Sequence, residues 1–520
     1  MIVERTKNAA RNIVFGTVLK VYQILVPFLM RTAMIYLIGV EYLGLNSLFT
    51  SILQVLNLAE LGVGSAMVYG MYQPIAEDDV TTICALMNLY RTYYRIIGLL
   101  IAVAGLALTP FIPKLIRGDV PSDINIYVLY LLNLAATVLS YWLFAYKNSI
   151  FQAHQRTDIP SKVALITNTV QYGLQFLVLW IFKNYYLYVL VMLAAQALTN
   201  MITAIAADKI YPQFKPKGRM SATEKRIINR RIRDLFTSKI GAIIYNSADT
   251  IVISAFLGLT VLAVYQNYFY VLNAVTSLIS VIFSACTAGI GNSIIVETKE
   301  KNYQDLKKFT FMICWVSGFC SVCLLCIYQP FMELWVGKDL MLSRSAVICF
   351  VVYFFVRQLN ALFNLYKDAS GMWHEDRFRP LSAALTNLVL NLILVQFIGI
   401  YGILISTVLA IVCVGMPWLL NHLFCLIFDR KYIWSFIKRL AFYCVIVFLS
   451  CLVTYFICSR LTLDLLPMLF ARVVICLIVP NIIYFISYRK CTEFQQSLRL
   501  LNNMTKGKFK PVLRKLGMEQ

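Results

Sequence analysis

Residues 20–174 of this chain recur as residues 239–394, in a register of 219 and then 220 that holds through loops as well as apolar stretches. Lys20 matches Lys239, Gly39 matches Gly258 and Leu43 matches Leu262. Further on, Pro110-Phe111 matches Pro330-Phe331, Asp119 matches Asp339, Tyr146-Lys147 matches Tyr366-Lys367, His154 matches His374 and Pro160 matches Pro380. Chance does not hold so constant an offset over so many kinds of residue. Two helical bundles related by a pseudo-twofold axis are the plan of secondary transporters, whose site lies where the halves meet. The repeat therefore restricts mechanism together with fold.

Both copies are strings of apolar runs. Hydrophobic residues make up 60% of the 520-residue chain and charged ones 14%, against roughly a quarter charged in a soluble domain. Windows of about twenty apolar residues predict fourteen helices, near 12–38, 46–72, 82–112, 125–150, 160–183, 186–207, 236–257, 262–293, 304–330, 344–369, 380–398, 401–427, 436–457 and 466–487. No small-residue cleavage site follows a short apolar stretch at the start, so the first window is read as a span rather than a signal peptide. The expected fold class is an all-α integral membrane protein: two six-helix lobes, 1–207 and 236–427, related by a parallel internal repeat, with two additional helices over 428–487. A basic linker, 208–235, separates the lobes, and a basic tail follows residue 488.

The net charge of +22 follows membrane topology. Basic residues gather in alternate loops, in the linker (Lys209 to Arg233) and in the tail, which is the positive-inside pattern. Both termini are expected in the cytoplasm. Nucleic acid is not expected as a partner, since no basic face interleaved with exposed aromatics stands on a soluble module. The fourteen cysteines are scattered. Cys320, Cys323 and Cys326 have metal-like spacing but no nearby His or acidic partner, and they read as small hydrophobes in a helix. No metal site and no cofactor are expected, and the absence of a Walker A sequence removes ATP hydrolysis by this chain.

Ionisable groups inside spans are expensive, so each needs a reason. Lys20 and Arg31 stand about three turns apart on one face of the first helix, and Arg91 and Arg95 share a face at i and i+4. Arg357 is near the middle of the tenth helix, Lys239 and Asp249 lie on the seventh, and Glu60 falls within the second. Lys147, Lys367 and Lys239 are close enough to helix ends to snorkel. Lys20, Arg31, Arg91, Arg95, Lys239 and Arg357 outnumber Glu60 and Asp249, so a cavity shared by these groups would be positive. Such a cavity suits an anionic cargo, above all a phosphate or pyrophosphate accepting several charge-assisted hydrogen bonds. Glu60 and Asp249 are candidates for coupling or charge balance. Pro27 is expected to kink the first helix, and Gly62, Gly64 and Ser65 to permit close helix contact.

The stretch Gly39-Val40-Glu41-Tyr42-Leu43-Gly44-Leu45-Asn46-Ser47-Leu48-Phe49, running on to Leu58-Ala59-Glu60-Leu61-Gly62, resembles the first helical hairpin of bacterial polysaccharide flippases of the Wzx type. These belong to the superfamily that includes multidrug exporters of the MATE type and the lipid II flippase. The resemblance implies a non-enzymatic carrier in the bacterial inner membrane that moves a polyprenyl-pyrophosphate-linked glycan, an O-antigen or capsule repeat unit, to the outer leaflet by alternating access. It also implies cations from the first helix of each lobe, at Lys20, Arg31 and Lys239, a lipid-tail groove from the last two helices, and a polysaccharide polymerase complex as a possible partner. Thr250 stands where Arg31 would have its repeat mate, so the second lobe departs from symmetry. The rival of the same fold is an ion-coupled multidrug or small-molecule antiporter, which a cationic cavity disfavours. A membrane glycosyltransferase, ligase or polymerase would need a substantial outward loop bearing catalytic groups, and every outward loop here is short.

Overall fold

A computed structural model describes residues 5–504 except 119, 373 and 374; some side chains within its helices, that of Lys239 among them, are also outside the described set. His374 thus lies outside the described residues. The rest is helical, as the apolar periodicity requires, because backbone polar groups in lipid have only each other as partners. Two compact units divide the chain, 1–266 and 267–520.

In the first unit the helices are Arg5–Leu37 (α1), Val40–Leu56 (α2), Val63–Ala76 (α3), Val80–Leu108 (α4), Ile126–Trp142 (α5), Asn148–Ala153 (α6), Asp158–Ile181 (α7), Tyr185–Ile210 (α8) and Ala222–Leu257 (α9). Here α1 packs on α7, α7 on α8, α2 on α9, and α4 on both α3 and α5. The division falls within Leu259–Val296 (α10). The second unit continues with Lys299–Val336 (α11), Arg344–Ser370 (α12), Arg379–Ile398 (α13), Ile400–Leu409 (α14), Met416–Leu426 (α15), Ile433–Ser459 (α16), Leu465–Tyr488 (α17) and Thr492–Met504 (α18). In it α11 is the central post, touching α12, α16, α17 and α18. A π-helical turn, Ala410–Gly415, joins α14 to α15 within one span.

Among the described residues, 11 helices are long and apolar enough to cross a membrane, or up to 12 if the bent pair Ile126–Trp142 and Ala145–Ala153 is one span. Fourteen were expected; the windows over α9 and α10 run across side chains outside the described set. The chain is a multi-pass membrane protein. Large apolar side chains such as Phe448, Phe456 and Phe470 on α16 and α17 stand exposed for contact with lipid.

The repeat is visible in backbone conformation. Gly39 (φ 119°, ψ 162°) and Gly258 (φ 94°, ψ 173°) end α1 and α9 in the same way. That region is open to glycine and not to side-chained residues. The matched Tyr146 and Tyr366 are both buried. After each comes a turn bearing an Arg–Asp pair in opposite chain order: Arg156 Nε to Asp158 at 2.9 Å, then Arg379 Nε to Asp376 at 2.6 Å.

Two sequence expectations need correction. The second window is not one helix: α2 ends at Leu56, a 3-10 turn covers Asn57–Glu60, and α3 begins at Val63. Gly62, at φ 87°, reverses the backbone, and a Cβ there would lie 2.6 Å from Leu235 Cβ. The glycine serves both the break and the close contact. The linker 208–235 is also not all loop. Ser221 and Glu224 form a reciprocal capping box that starts α9 inside it. Lys147 is buried and pairs with Asp208, and Lys367 pairs with Asp368 at 3.0 Å.

Candidate functional site

Interrupting α2 at the 3-10 turn places Glu60 at a helix break rather than inside a helix, half-buried and turned toward α4 and α5. Tyr94 donates to Glu60 Oε1 at 2.5 Å, and Tyr141 donates to Oε2 at 2.9 Å. Tyr90 in turn donates to the Tyr94 hydroxyl at 2.6 Å. The spacing of Tyr90 and Tyr94, one turn apart on α4, brings both phenols to one face, with ring centroids 4.4 Å apart. Tyr141 meets Tyr94 edge-on at 5.3 Å. Gly64 leaves room for this group, since a Cβ there would come 2.9 Å from the Tyr90 hydroxyl. Both carboxylate oxygens are thus satisfied by neutral donors, and the chain from Tyr90 through Tyr94 polarises each bond in the same sense.

The cations of this unit surround different neighbours. Lys20 is exposed on α1, and Arg31, half-buried on the same helix, is within electrostatic reach of Tyr188 on α8. Arg91 donates to Asn88 Oδ1 at 2.8 Å, and its charge and that of Arg95 act on the buried Tyr146. Arg95 is exposed, and its carbonyl accepts from Trp142 Nε1 at 3.2 Å. The acidic residues near Arg91 in sequence are occupied locally: Asp79 caps α4 by accepting from Thr82 N–H at 3.0 Å, and the Thr82 hydroxyl and amide hold its carboxyl below the usual carboxylate range. Asp249 is half-buried on α9. Beside it the buried Thr250, repeat mate of Arg31, accepts from Gln266 Nε2 at 2.9 Å. A neutral hydrogen bond stands there in place of a second cation.

In the second unit Arg357 is half-buried on α12. Its Nη1 donates to Asn273 Oδ1 at 3.0 Å and to the Tyr353 hydroxyl at 3.2 Å, and its guanidinium stands 6.0 Å from the Phe269 ring centroid. These neutral partners orient the guanidinium. Lys239 contributes no side-chain geometry, being outside the described set. Sequence reasoning missed Tyr90, Tyr94, Tyr141 and Asn273. The pair of tyrosines at i and i+4 flanking Arg91 was the one available signal.

This unit also holds a cavity of about 500 Å³ bounded by α11, α12, α16 and α17. Its wall is apolar over Val347, Val351, Phe355 and Phe448, with Arg344 and Arg472 adding charge. The last two spans therefore help enclose a space long in apolar contact and marked by cations.

Solved structures share this architecture. Over 92% of this chain and 99% of the other, it is similar to the lipid II flippase MurJ in an inward closed conformation, with TM-score 0.64 and 14% identity. An inward-facing multidrug resistance MATE family transporter of the MOP superfamily aligns over 81% of this chain and 99% of its own, with TM-score 0.59 and 15% identity. A Vibrio cholerae MATE transporter, VcmN, aligns over 80% and 97%, with TM-score 0.53 and 14% identity. No family model matches the chain, and no curated protein matches it in sequence. At these identities the likeness establishes the fold: an all-helical transporter fold of the MurJ and MATE kind.

Proposed function

We propose that this protein is a flippase that carries a polyprenyl-pyrophosphate-linked glycan, a polysaccharide repeat unit, from the inner to the outer leaflet of a bacterial cytoplasmic membrane by alternating access. The observation that carries this reading is the excess of cations embedded in a transporter fold. Lys20, Arg31, Arg91, Arg95, Lys239 and Arg357 stand against Glu60 and Asp249. Glu60 is already held by two tyrosines, and Arg357 donates to Asn273 and to the Tyr353 hydroxyl. An excess of positive charge in low dielectric needs an anion to complete it. The diphosphate of a lipid-linked glycan supplies one with several acceptor oxygens for guanidinium and ammonium groups.

Three further points support the same cargo. MurJ is described as a lipid II flippase and aligns over more of this chain than the MATE transporters do. The apolar cavity beside α16 and α17 offers a polyprenyl tail contact that a small soluble drug would not require. An inside-negative potential favours outward movement of an anion by about 2.3 kcal/mol per charge per 100 mV, so ATP is not needed. In this scheme the two repeats rock against one another, the domain plan being two six-helix lobes and the extra pair, and Glu60 and Asp249 serve in coupling or charge balance.

The test is in cells. Loss of the protein should make lipid-linked repeat units accumulate on the inner leaflet, with their synthesis intact. Unchanged leaflet distribution, or arrest of repeat-unit synthesis itself, would reject the flippase reading.

A further inference from the structure

Three thiols from three helices meet inside the second unit. Cys326 on α11, Cys458 on α16 and Cys476 on α17 are all buried, and their Sγ atoms lie within 4.8 Å of one another. Cys323, one turn before Cys326, is in hydrogen-bond contact with Cys476 and packs on the cluster together with Cys451. Cysteine often fills space between helices as a small hydrophobe, and for one or two of these residues packing would be sufficient. What packing does not explain is the cation beside them.

Arg472 stands one turn before Cys476 on α17 and donates from Nη1 to the Cys326 carbonyl at 2.9 Å. Its Nε is buried without a hydrogen-bond partner, and its charge acts on Cys458. Among the described residues no carboxylate pairs with it. A guanidinium in this apolar setting calls for an anion, and the thiol of Cys458, on which its charge acts, is able to become one.

We propose that Cys326, Cys458 and Cys476 bind a single thiophilic d10 metal ion, with Arg472 as its counter-charge. Charge favours zinc(II): three thiolates and one divalent ion sum to −1, and the guanidinium brings the buried assembly to zero. Thiolate sulfurs each about 2.3 Å from zinc sit roughly 3.8 Å apart in a tetrahedral site. Separations of up to 4.8 Å therefore close by small side-chain movements. The cavity of about 500 Å³ reaches the site through Cys451, Cys458 and Arg472, which line it. Binding converts three thiols to thiolates, so one ion taken up releases three protons to water. The bound ion ties α16 and α17 to α11, joining the extra helix pair to the repeat. This inference does not depend on the flippase reading.

The full-length protein, purified in detergent and stripped with chelator under reducing conditions, is titrated with zinc(II) alone. We expect about one zinc per chain by elemental analysis, proton release on binding, and a rise in Tm. Cys458→Ala and Cys476→Ala should lose the zinc and the Tm response, while Cys413→Ala, at an exposed cysteine away from the cluster, keeps both. Arg472→Met should weaken binding by roughly tenfold or more. Proton release on the unsubstituted chain tests the site even if a cysteine variant fails to fold. The proposal is overturned by zinc uptake without proton release, by zinc content unchanged in Cys458→Ala and Cys476→Ala, or by no zinc uptake. It is overturned equally by an intact mass showing that two of these thiols are joined as a disulfide in the protein as isolated.

Discussion

Replacing Tyr94 by phenylalanine should destabilise the first unit more than any other loss of a single hydroxyl there. The Tyr94 hydroxyl is both donor and acceptor: it gives a hydrogen bond to Glu60 Oε1 at 2.5 Å and receives one from Tyr90 at 2.6 Å. Its removal takes away a bond to a carboxylate, worth about 1.5–3 kcal/mol, and a neutral bond worth about 1 kcal/mol. The sum for Tyr94→Phe is about 3 kcal/mol. Tyr141→Phe removes the single bond to Oε2 and should cost about 2 kcal/mol, and Tyr90→Phe removes the neutral bond alone and should cost about 1 kcal/mol. The assay is denaturant unfolding of the purified protein in one detergent, followed by tyrosine environment and helicity. A double-mutant cycle with Glu60→Gln isolates the carboxylate bond. Costs within about 0.5 kcal/mol of wild type for all three substitutions, or an order in which Tyr90→Phe is the worst, would refute the reasoning.

Other outcomes follow from the same geometry. Arg31→Ala should abolish export with protein abundance near normal, and Arg31→Lys should restore it only in part if the contact is bidentate; transport assayed beside membrane abundance decides it. Asp208→Ala leaves the buried Lys147 without its partner and should cost about 3 kcal/mol, whereas Lys147→Met leaves only a carboxylate that is 59% exposed and should cost under about 1 kcal/mol; paired unfolding curves measure the asymmetry. Lys217→Cys, at an exposed linker position, should resist a membrane-impermeant thiol reagent in intact cells and react after lysis, read against the unsubstituted chain.

Much of the fold was legible because one physical signal dominates it. Apolar windows longer than a bilayer needs place most of the long helices, and the matched glycines 39 and 258 appear in the structure with the same backbone conformation. What the windows concealed was the break at residues 57–62. Leucine, alanine and glycine keep the hydropathy high while Gly62 turns the chain, so average hydropathy does not register the interruption. The start of α9 was missed for a different reason: its charge marked a linker, although Ser221 and Glu224 carried the capping signal.

The candidate site was legible in its charges and not in their partners. Glu60 and Tyr141 are 81 residues apart, and Arg357 and Asn273 are 84 apart. No local pattern couples them. Likewise the spacing of Cys323 and Cys326 on α11 gave no warning of Cys458 and Cys476, because those thiols come from helices beyond the repeat. The partners of Lys147 and Lys367 were not legible either. A nearby carboxylate, Asp208 in one repeat and Asp368 in the other, is what satisfies each ammonium.

The central claim is that the chain itself moves a lipid-linked anion through a cationic passage. Its most direct test is the purified protein in liposomes with a fluorescent polyprenyl-pyrophosphate glycan in the leaflet corresponding to the cytoplasmic side. The account predicts that the glycan appears in the opposite leaflet without ATP, faster under an imposed inside-negative potential, and not when Arg31→Ala and Arg357→Ala are combined. Strict dependence on added ATP, or equal flipping by the doubly substituted protein, would contradict it.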